Sequence, residues 1–254
     1  CGCRCQHTLR RLNQMVGAAD IDLFAYSVLG STNDEARRLA GSKMRGPLAV
    51  WTAEQPGGRG RSGRNWTGTR GNLMVSLLLH PDRAPAEAGS MALVAGLAVA
   101  DCARSWGKNA RIKWPNDVLL EDAKLAGILV EAGSNGGKLD WVILGIGLNL
   151  AEAPALDRPT ACIGADVPVE AALEQVVEAV LRRYREWLYG GFRAVREEWL
   201  ERAAWLGRTV RIGEGQGAVE GIMQTVDPDG SLVVCDATGV ERRLAAGEVF
   251  PLEV

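Results

Sequence analysis

Residues 111–150 hold three apolar runs with little chain between them. RIKWPNDVLL (111–120) meets a turn pair, Glu121-Asp122, and KLAGILVE (124–131) returns from it; WVILGIGLNL (141–150) begins after nine more residues. A parallel crossover needs a dozen or more residues and usually a helix, so these strands must lie antiparallel, as successive hairpin neighbours. A doubly wound β-α-β sheet is thereby excluded. Elsewhere LFAYSVL (23–29), LAVWTAEQ (48–55) and NLMVSLLL (72–79) read as further strands. A helix is expected between the first two, capped by Ser31 or Thr32 and closed by Gly41.

Residues 85–106 form a long, almost wholly apolar stretch, which predicts the central helix of the fold. Helical periodicity returns over 169–189 and 191–206, broken at Gly190-Gly191, and residues 8–16 are expected to make a short basic helix. With hairpin strands adjacent and helices segregated, the class is α+β: a mixed sheet with helices packed on one face. After Leu206 the texture changes to short alternating runs punctuated by glycine and by Asp227-Pro228-Asp229-Gly230, which predicts a small β-barrel. The expected division is an N-terminal extension (1–22), a main domain (23–206) and the barrel (207–254).

A net charge of −2 over 254 residues excludes a nucleic-acid binder driven by bulk charge, so any anion site must be local. No uninterrupted apolar run reaches the 18–20 or so residues of a membrane span, and the opening lacks the apolar core of a signal peptide. Of six cysteines, Cys102, Cys162 and Cys235 sit among apolar residues, and nothing else points to an oxidising compartment, so a cytoplasmic location is expected. Cys1, Cys3, Cys5 and His7 have the residue types of a metal site, but alternate spacing on an unpatterned terminus does not make one, and no metal site is assigned. The start, which lacks Met, is read as trimmed.

Three motifs carry chemistry. In K-W-P-N-D (113–117) a proline interrupts the strand where Lys113, Asn116 and Asp117 gather, and Lys124 stands across the hairpin. In G-I-G-L-N (145–149) alternation puts Gly145, Gly147 and Asn149 on one face, leaving bare backbone for a flat ligand; Gly127 and Leu129 make a second wall. In GRGRSGRNW (58–66), Arg59, Arg61 and Arg64 repel one another, so the loop is expected to order only over a polyanion. Guanidinium groups grip phosphate bidentately, and Trp66 offers a face to a purine.

GRGRSGRNW, KWPNDVLL, KLAGILVE and GIGLN, in this order, resemble the biotin protein ligase family, with S-T-N-D-E-A (31–36) as its early motif and G-E-V-F in its C-terminal barrel. The likeness covers about 23–254. It implies a class II synthetase-like sheet with an SH3-like barrel, and a two-step ligase. Biotin and Mg-ATP give biotinyl-5′-AMP, and the lysine of a biotin carboxyl carrier protein domain then takes the biotin. By carry-over Ser31, Thr32 and Gln55 bind the ureido ring, while Gly58, Gly127, Leu129, Gly145 and Gly147 line its pocket. Arg59 and Arg61 grip the carboxylate–phosphate junction, which Lys124 also holds; Lys113 and Arg64 neutralise phosphate. Trp66, Asn116 and Asn149 border the nucleotide, and Asp117 orients the incoming lysine, whose free pKa is about 10.4. Ser62 stands where the family often carries another arginine. The expected partners include Mg²⁺ with ATP but no DNA and no membrane, since the chain leaves no room for the DNA-binding domain of bifunctional members. An exposed sheet edge near the arginine loop suggests a homodimer. The rival readings are a lipoate-ligase-like adenylating enzyme, and a non-catalytic nucleic-acid binder with steep salt dependence.

Overall fold

The computed structural model describes residues 7–11, 21–42, 44 and 46–252, with the backbone alone for 7–11 and Gln216. The elements in chain order are β1 (His7–Arg11), β2 (Asp22–Tyr26), α1 (Thr32–Ala40), β3 (Leu48–Thr52), β4 (Leu73–Leu79), α2 (Met91–Ser105), β5 (Arg111–Lys113), β6 (Asp117–Leu120), β7 (Ala123–Asn135), β8 (Lys138–Leu148), α3 (Val169–Gly190) and α4 (Arg196–Glu201). There follow β9 (Thr209–Ile212), β10 (Val219–Val226), β11 (Leu232–Cys235), β12 (Glu241–Leu244) and β13 (Val249–Pro251). The first eight strands form one sheet in the order β1-β2-β3-β4-β8-β7-β6-β5, and the last five form another, β12-β11-β10-β9-β13. Only the β2–β3 pair is parallel in the large sheet, so it is mixed, and the small sheet is wholly antiparallel.

Alternation along β4 explains the two layers. Leu73, Val75, Leu77 and Leu79 face a core built with α2, α3 and α4, while Leu78 joins Tyr26, Val50 and Ile143 under α1 on the other side. The large helices thus cover one face as expected, and the short α1 covers part of the other. The uncovered remainder of that second face carries the polar residues of the site. The helical stretch Pro85–Ser105 matches a membrane span in length and apolarity, yet 72% of its most apolar window is buried inside the fold. Gly96 lets it approach β5, since a methyl group there would stand 3.2 Å from Ile112 Cγ2.

Several expectations need correction. Residues 8–11 belong to an edge strand paired with β2 rather than to a helix; 12–16 and the cysteines at 1, 3 and 5 lie outside the described residues. RIKWPNDVLL is not one bent strand: the chain reverses at Trp114-Pro115-Asn116, pairing Lys113 with Asp117. The tight turn at Glu121 and Asp122 is as read, with φ of 51° and 62°, the positive pair that a two-residue hairpin demands. Outside β5 the chain after α4 is hydrogen-bonded to it: Ile112 N–H donates to Arg202 O (2.8 Å) and Ala204 N–H to Ile112 O (2.8 Å).

The helical layer is pinned by one carboxylate. Asp101 on α2 accepts from Arg183 Nε at 2.8 Å and from Arg182 at 2.9 Å, and it also pairs with Arg202 beyond α4. The Arg183 side chain is 4% exposed. Without Asp101, Arg183 would keep Glu186 and Glu198, but the nearly buried Arg202 would lose its carboxylate, and removing one partner of such a pair strands the other charge. Asp101→Ala is therefore expected to destabilise the protein by about 3 kcal/mol, read as a lower urea midpoint at unchanged slope.

Candidate functional site

The face of β7 and β8 that α1 leaves uncovered floors a cavity of about 320 Å³. Two hairpins bring its charged residues together. The β5–β6 reversal sets Lys113 opposite Asp117, and the β6–β7 turn brings Lys124 back beside them. Lys124 Nζ donates to Asp117 at 2.6 Å, with both side chains nearly buried. Burial holds the Lys124 pKa below the ordinary 10.5, against the pull of Asp117. Lys113 is likewise lowered, chiefly by burial. Its ammonium lies 5.5 Å from the Trp205 ring and 5.3 Å from the Phe250 ring, and 3.7 Å from Glu248.

The backbone around Lys124 is clamped on both sides. Its N–H donates to Pro159 O (2.9 Å), and Ala161 N–H donates to its carbonyl (2.9 Å). Asn149 Nδ2 donates to the carbonyls of Lys124 (3.3 Å) and Ala161 (3.0 Å). Asn149 is 1% exposed and lies outside the cavity lining. The expected nucleotide border at this position is thus corrected to a structural tie. The cause is that β8 ends at Leu148, so strand alternation no longer aims residue 149 at the cavity.

Gly145 and Gly147 do leave bare backbone, but protein side chains already lie on it. A methyl group on Gly147 would overlap the Trp66 indole, and one on Gly145 would overlap the Asn33 amide. A methyl group on Gly127 would stand 3.1 Å from the same indole. The flat group seated on the glycine strands is therefore Trp66, whose ring centroid is 5.8 Å from Lys124 Nζ. Its buried Nε1 has no hydrogen-bond partner. Gly58 also departs from expectation: it does not line the cavity, and a side chain there would strike the Trp66 carbonyl and Gln55 Nε2.

At the opposite wall, Ser31 takes the extended N-cap conformation of α1, with no backbone N–H donating to its hydroxyl as a cap. Thr32 N–H donates to Gln55 Oε1 at 2.8 Å. Ser31, Thr32 and Gln55 are buried and line the cavity with Leu129.

Each arginine of the loop rests on an oxygen of the protein itself. Arg59 makes two hydrogen bonds to the Asp34 carboxylate, at 2.8 and 2.6 Å. Arg61 donates to Asn116 Oδ1 at 3.1 Å, while Arg64 is bidentate on Glu248 of the small sheet, with one bond of 3.1 Å. The Arg59 hydrogen bonds hold Asp34 below its usual pKa, and Arg64 does the same to Glu248. Ser62 sits at φ 55°, in the left-handed region.

Arg59, Arg61, Arg64, Lys113, Asn116, Asp117, Lys124, Gly127, Gly145 and Gly147 all line one cavity, as Trp66 does. Sequence reading missed three contributors. Arg158 comes from the irregular segment after β8; Glu248 comes from the small sheet within the quoted G-E-V-F; Asn33 lies inside the quoted S-T-N. The lining then holds six cations against two carboxylates, Asp117 and Glu248. Such an excess in a partly buried cleft selects an anionic ligand of high charge. Among the described residues no cluster of three or more His, Cys, Asp or Glu could cage a metal ion.

Comparison with known proteins agrees with this geometry. Residues 26–149 match the Biotin/lipoate A/B protein ligase family, and residues 205–250 match the biotin protein ligase C-terminal domain. The chain is 37% identical to a biotin–[acetyl-CoA-carboxylase] ligase of Paracoccus denitrificans over 235 residues, covering 87% of this chain and 96% of the relative. It is 32% identical to the enzyme of the same description from Mycobacterium tuberculosis, over 94% and 93% of the two chains. Its fold matches a biotin protein ligase from Aquifex aeolicus solved with biotin and ATP, at a TM-score of 0.74, 24% identity and coverage of 90% and 97%.

The seat of Trp66 on glycine yields a prediction. Gly147→Val should lift the indole and loosen the loop it closes, at a cost of about 1–3 kcal/mol. Trypsin should then cut within 57–65 faster than in the unsubstituted protein, and equal cutting would disprove the anchor.

Proposed function

The chain belongs to the biotin protein ligase family, and on that premise we propose how its residues divide the work of the ligase reaction. The protein is an ATP-dependent biotin–[acetyl-CoA-carboxylase] ligase: biotin's carboxylate attacks the α-phosphate of Mg-ATP, pyrophosphate leaves, and a carrier-domain lysine then displaces AMP from biotinyl-5′-AMP. The observation that carries the assignment of roles is the convergence of six cations on one cavity floored by glycine strands.

A carboxylate is a weak nucleophile, so the first step depends on alignment and on charge neutralisation at phosphorus. Lys124, a nearly buried cation beside the glycine floor, holds the biotin carboxylate and the α-phosphate together. Arg59 and Arg61 leave Asp34 and Asn116 for the substrate junction, and Lys113 and Arg64 take the remaining phosphate charge. Those exchanges cost little, because each guanidinium trades one oxygen partner for another. Ser31, Thr32 and Gln55 meet the ureido ring, with Gly127, Leu129, Gly145 and Gly147 behind it. Trp66 and Asn116 border the nucleotide. Mg²⁺ arrives as Mg-ATP, coordinated by phosphate oxygens, which suits a lining whose two carboxylates are both ion-paired.

Asp117 serves the second step. Once the adenylate's charge engages Lys124, Asp117 is released to receive and orient the acceptor ammonium, which must lose a proton to attack. The acceptor is a biotin carboxyl carrier domain. We further assign catalysis to 23–206, with strand 7–11 appended to its sheet, and the closing wall of the cavity to 207–254 through Glu248. The free thiols Cys102, Cys162 and Cys235 suit a reducing cytoplasm. The alternative, lipoate, is disfavoured by the urea-like polar set at Ser31, Thr32 and Gln55.

The decisive assay is transfer of labelled biotin to a carrier domain with ATP and Mg²⁺, alongside lipoate; label from lipoate but not from biotin would overturn the substrate. Lys124→Ala should abolish biotin-dependent pyrophosphate release while circular dichroism stays native, and release at the unsubstituted rate would remove Lys124 from the mechanism. A pH consequence follows from burial. Lys124 must be charged to work, and its pKa lies below 10.5. The kcat/KM for biotin in pyrophosphate release should therefore be retained at neutral pH and fall on the alkaline side with a midpoint below 10.5, with no loss on raising pH from about 6 to 8.

A further inference from the structure

We propose that Glu131, Asn33 and Ser76 are positioning residues that fix which atoms of the ureido subsite donate and which accept hydrogen bonds; the proposal rests on the biotin ligase reading above. These three line up behind Thr32 and Gln55 in one chain of contacts. Asn33 Nδ2 donates to Glu131 Oε2 at 3.1 Å, Ser76 Oγ donates to Asn33 Oδ1 at 2.6 Å, and the hydroxyls of Ser76 and Thr32 lie 2.7 Å apart. Thr32 N–H then donates to Gln55 Oε1 at 2.8 Å. Ser76 is fully buried at the centre of β4, and Asn33 and Thr32 are nearly so. Gly145, Ser76's partner across the sheet, has no side chain, and this gives the Asn33 amide its room.

Proton counting gives the chain a direction. A carboxylate in an ion pair only accepts, and Glu131 is paired with the Arg37 guanidinium. The amide NH₂ of Asn33 must face it, which turns the Asn33 carbonyl to Ser76. That carbonyl cannot donate, so the single proton of Ser76 goes to it. A 2.7 Å contact between two hydroxyl oxygens needs one proton, and only Thr32 still has one to give. Three oxygen–oxygen contacts share the two hydroxyl protons, and the longest of them, Thr32 Oγ1 to Gln55 Oε1 at 3.1 Å, is the one that goes without; Thr32 then donates inward to Ser76 and keeps its oxygen lone pairs. The backbone N–H of Thr32 meanwhile claims the carbonyl end of Gln55, so the amide NH₂ is the end left for another partner. Both residues line the cavity. Toward a ligand they present one acceptor and one donor, the complement of a cyclic urea with its N–H groups and its carbonyl. A carboxylate at the outer end of β7 thus sets the polarity of a subsite it does not touch. A structural reading, in which the chain only satisfies buried polar atoms, predicts no effect on ligand choice.

The test compares kcat/KM for biotin and for 2-iminobiotin, whose charged cyclic guanidine offers a donor where the urea offers its acceptor. In Glu131→Gln the glutamine can donate, Asn33 is free to flip, and the direction is lost. We expect kcat/KM for biotin to fall about tenfold and the biotin-to-iminobiotin ratio to shrink by at least about tenfold, the size of one neutral hydrogen bond, with the KM for ATP unchanged. The double variant Glu131→Gln/Asn33→Asp restores an acceptor-only group beside Ser76, and it should recover the ratio. Ser76→Ala, which removes the acceptor of the Thr32 proton, should shrink the ratio without changing the KM for ATP. An unchanged ratio in Glu131→Gln, or no recovery in the double variant, would overturn the proposal. A KM for ATP that rises as far as that for biotin would also overturn it, because Glu131 lies 3.7 Å from Arg59 and the effect would then run through that arginine. Absence of biotin-dependent pyrophosphate release in the unsubstituted protein would overturn the ligase reading and this proposal together, whereas release with an unchanged ratio overturns the proposal alone.

Discussion

The contact between Lys124 and Asp117 is the constraint around which the cavity is arranged. A buried ammonium is expensive unless a carboxylate and further hydrogen bonds stand beside it. The hairpins supply that partner by folding residues seven apart onto each other, at 2.6 Å. The backbone of Lys124 is then held between the strand and the segment 159–161, and Asn149 ties the two together. A cation fixed in this way loses little freedom when it meets a substrate oxygen. The same burial that lowers its pKa strengthens its attraction for phosphate, because both effects come from the removal of water.

The other cations follow a different logic. Arg59, Arg61 and Arg64 sit on a loop with Gly60 and Gly63 between them, yet each rests on an oxygen of the protein. Those oxygens come from α1, from the β5–β6 turn and from the small sheet, so the loop is braced from three sides. Trp66 completes the bracing by lying on Gly147. The small sheet joins through Glu248 and also through Trp114, whose Nε1 donates to Gly230 O at 2.9 Å. A domain too small to bury much core of its own thereby takes part in the cavity, and the five residues Gly247 to Pro251 both close the small sheet and balance charge in the cleft.

Legibility in the sequence followed the range of the interaction. The Glu121-Asp122 hairpin, the strand alternation that set Gly145 and Gly147 opposite Ile146 and Leu148, and the break at Gly190-Gly191 are local and were readable. What covered the glycines was not. The contact between Trp66 and Gly147 joins positions far apart in the chain, and a bare strand offers the same surface to a ligand as to an indole. At Trp114-Pro115-Asn116 the sequence showed an interruption of the strand but not a full reversal, because a proline in an apolar run is compatible with either. Asn149 was misplaced by carrying alternation one residue past the end of its strand. Ser76 was hidden inside a run of apolar residues, and Arg158 lay in a stretch with no periodicity at all.

The two faces of the large sheet show why polarity is concentrated where it is. The face under α2 and α3 is closed by aliphatic side chains and large aromatic ones such as Trp187, and needs few hydrogen bonds. On the opposite face α1 covers only part of the strands, so the polar atoms beyond it must find partners or a ligand. Ser76 and Asn33 do so within the protein, while Lys124 and the arginines do so in ways a phosphate can replace. The boundary runs along β4, where Leu77 and Ser76 are successive residues pointing to opposite sides. A ligand that fills the cavity continues the packing of α1 across the sheet. The site is therefore the part of the second layer that the chain leaves for its substrate to complete.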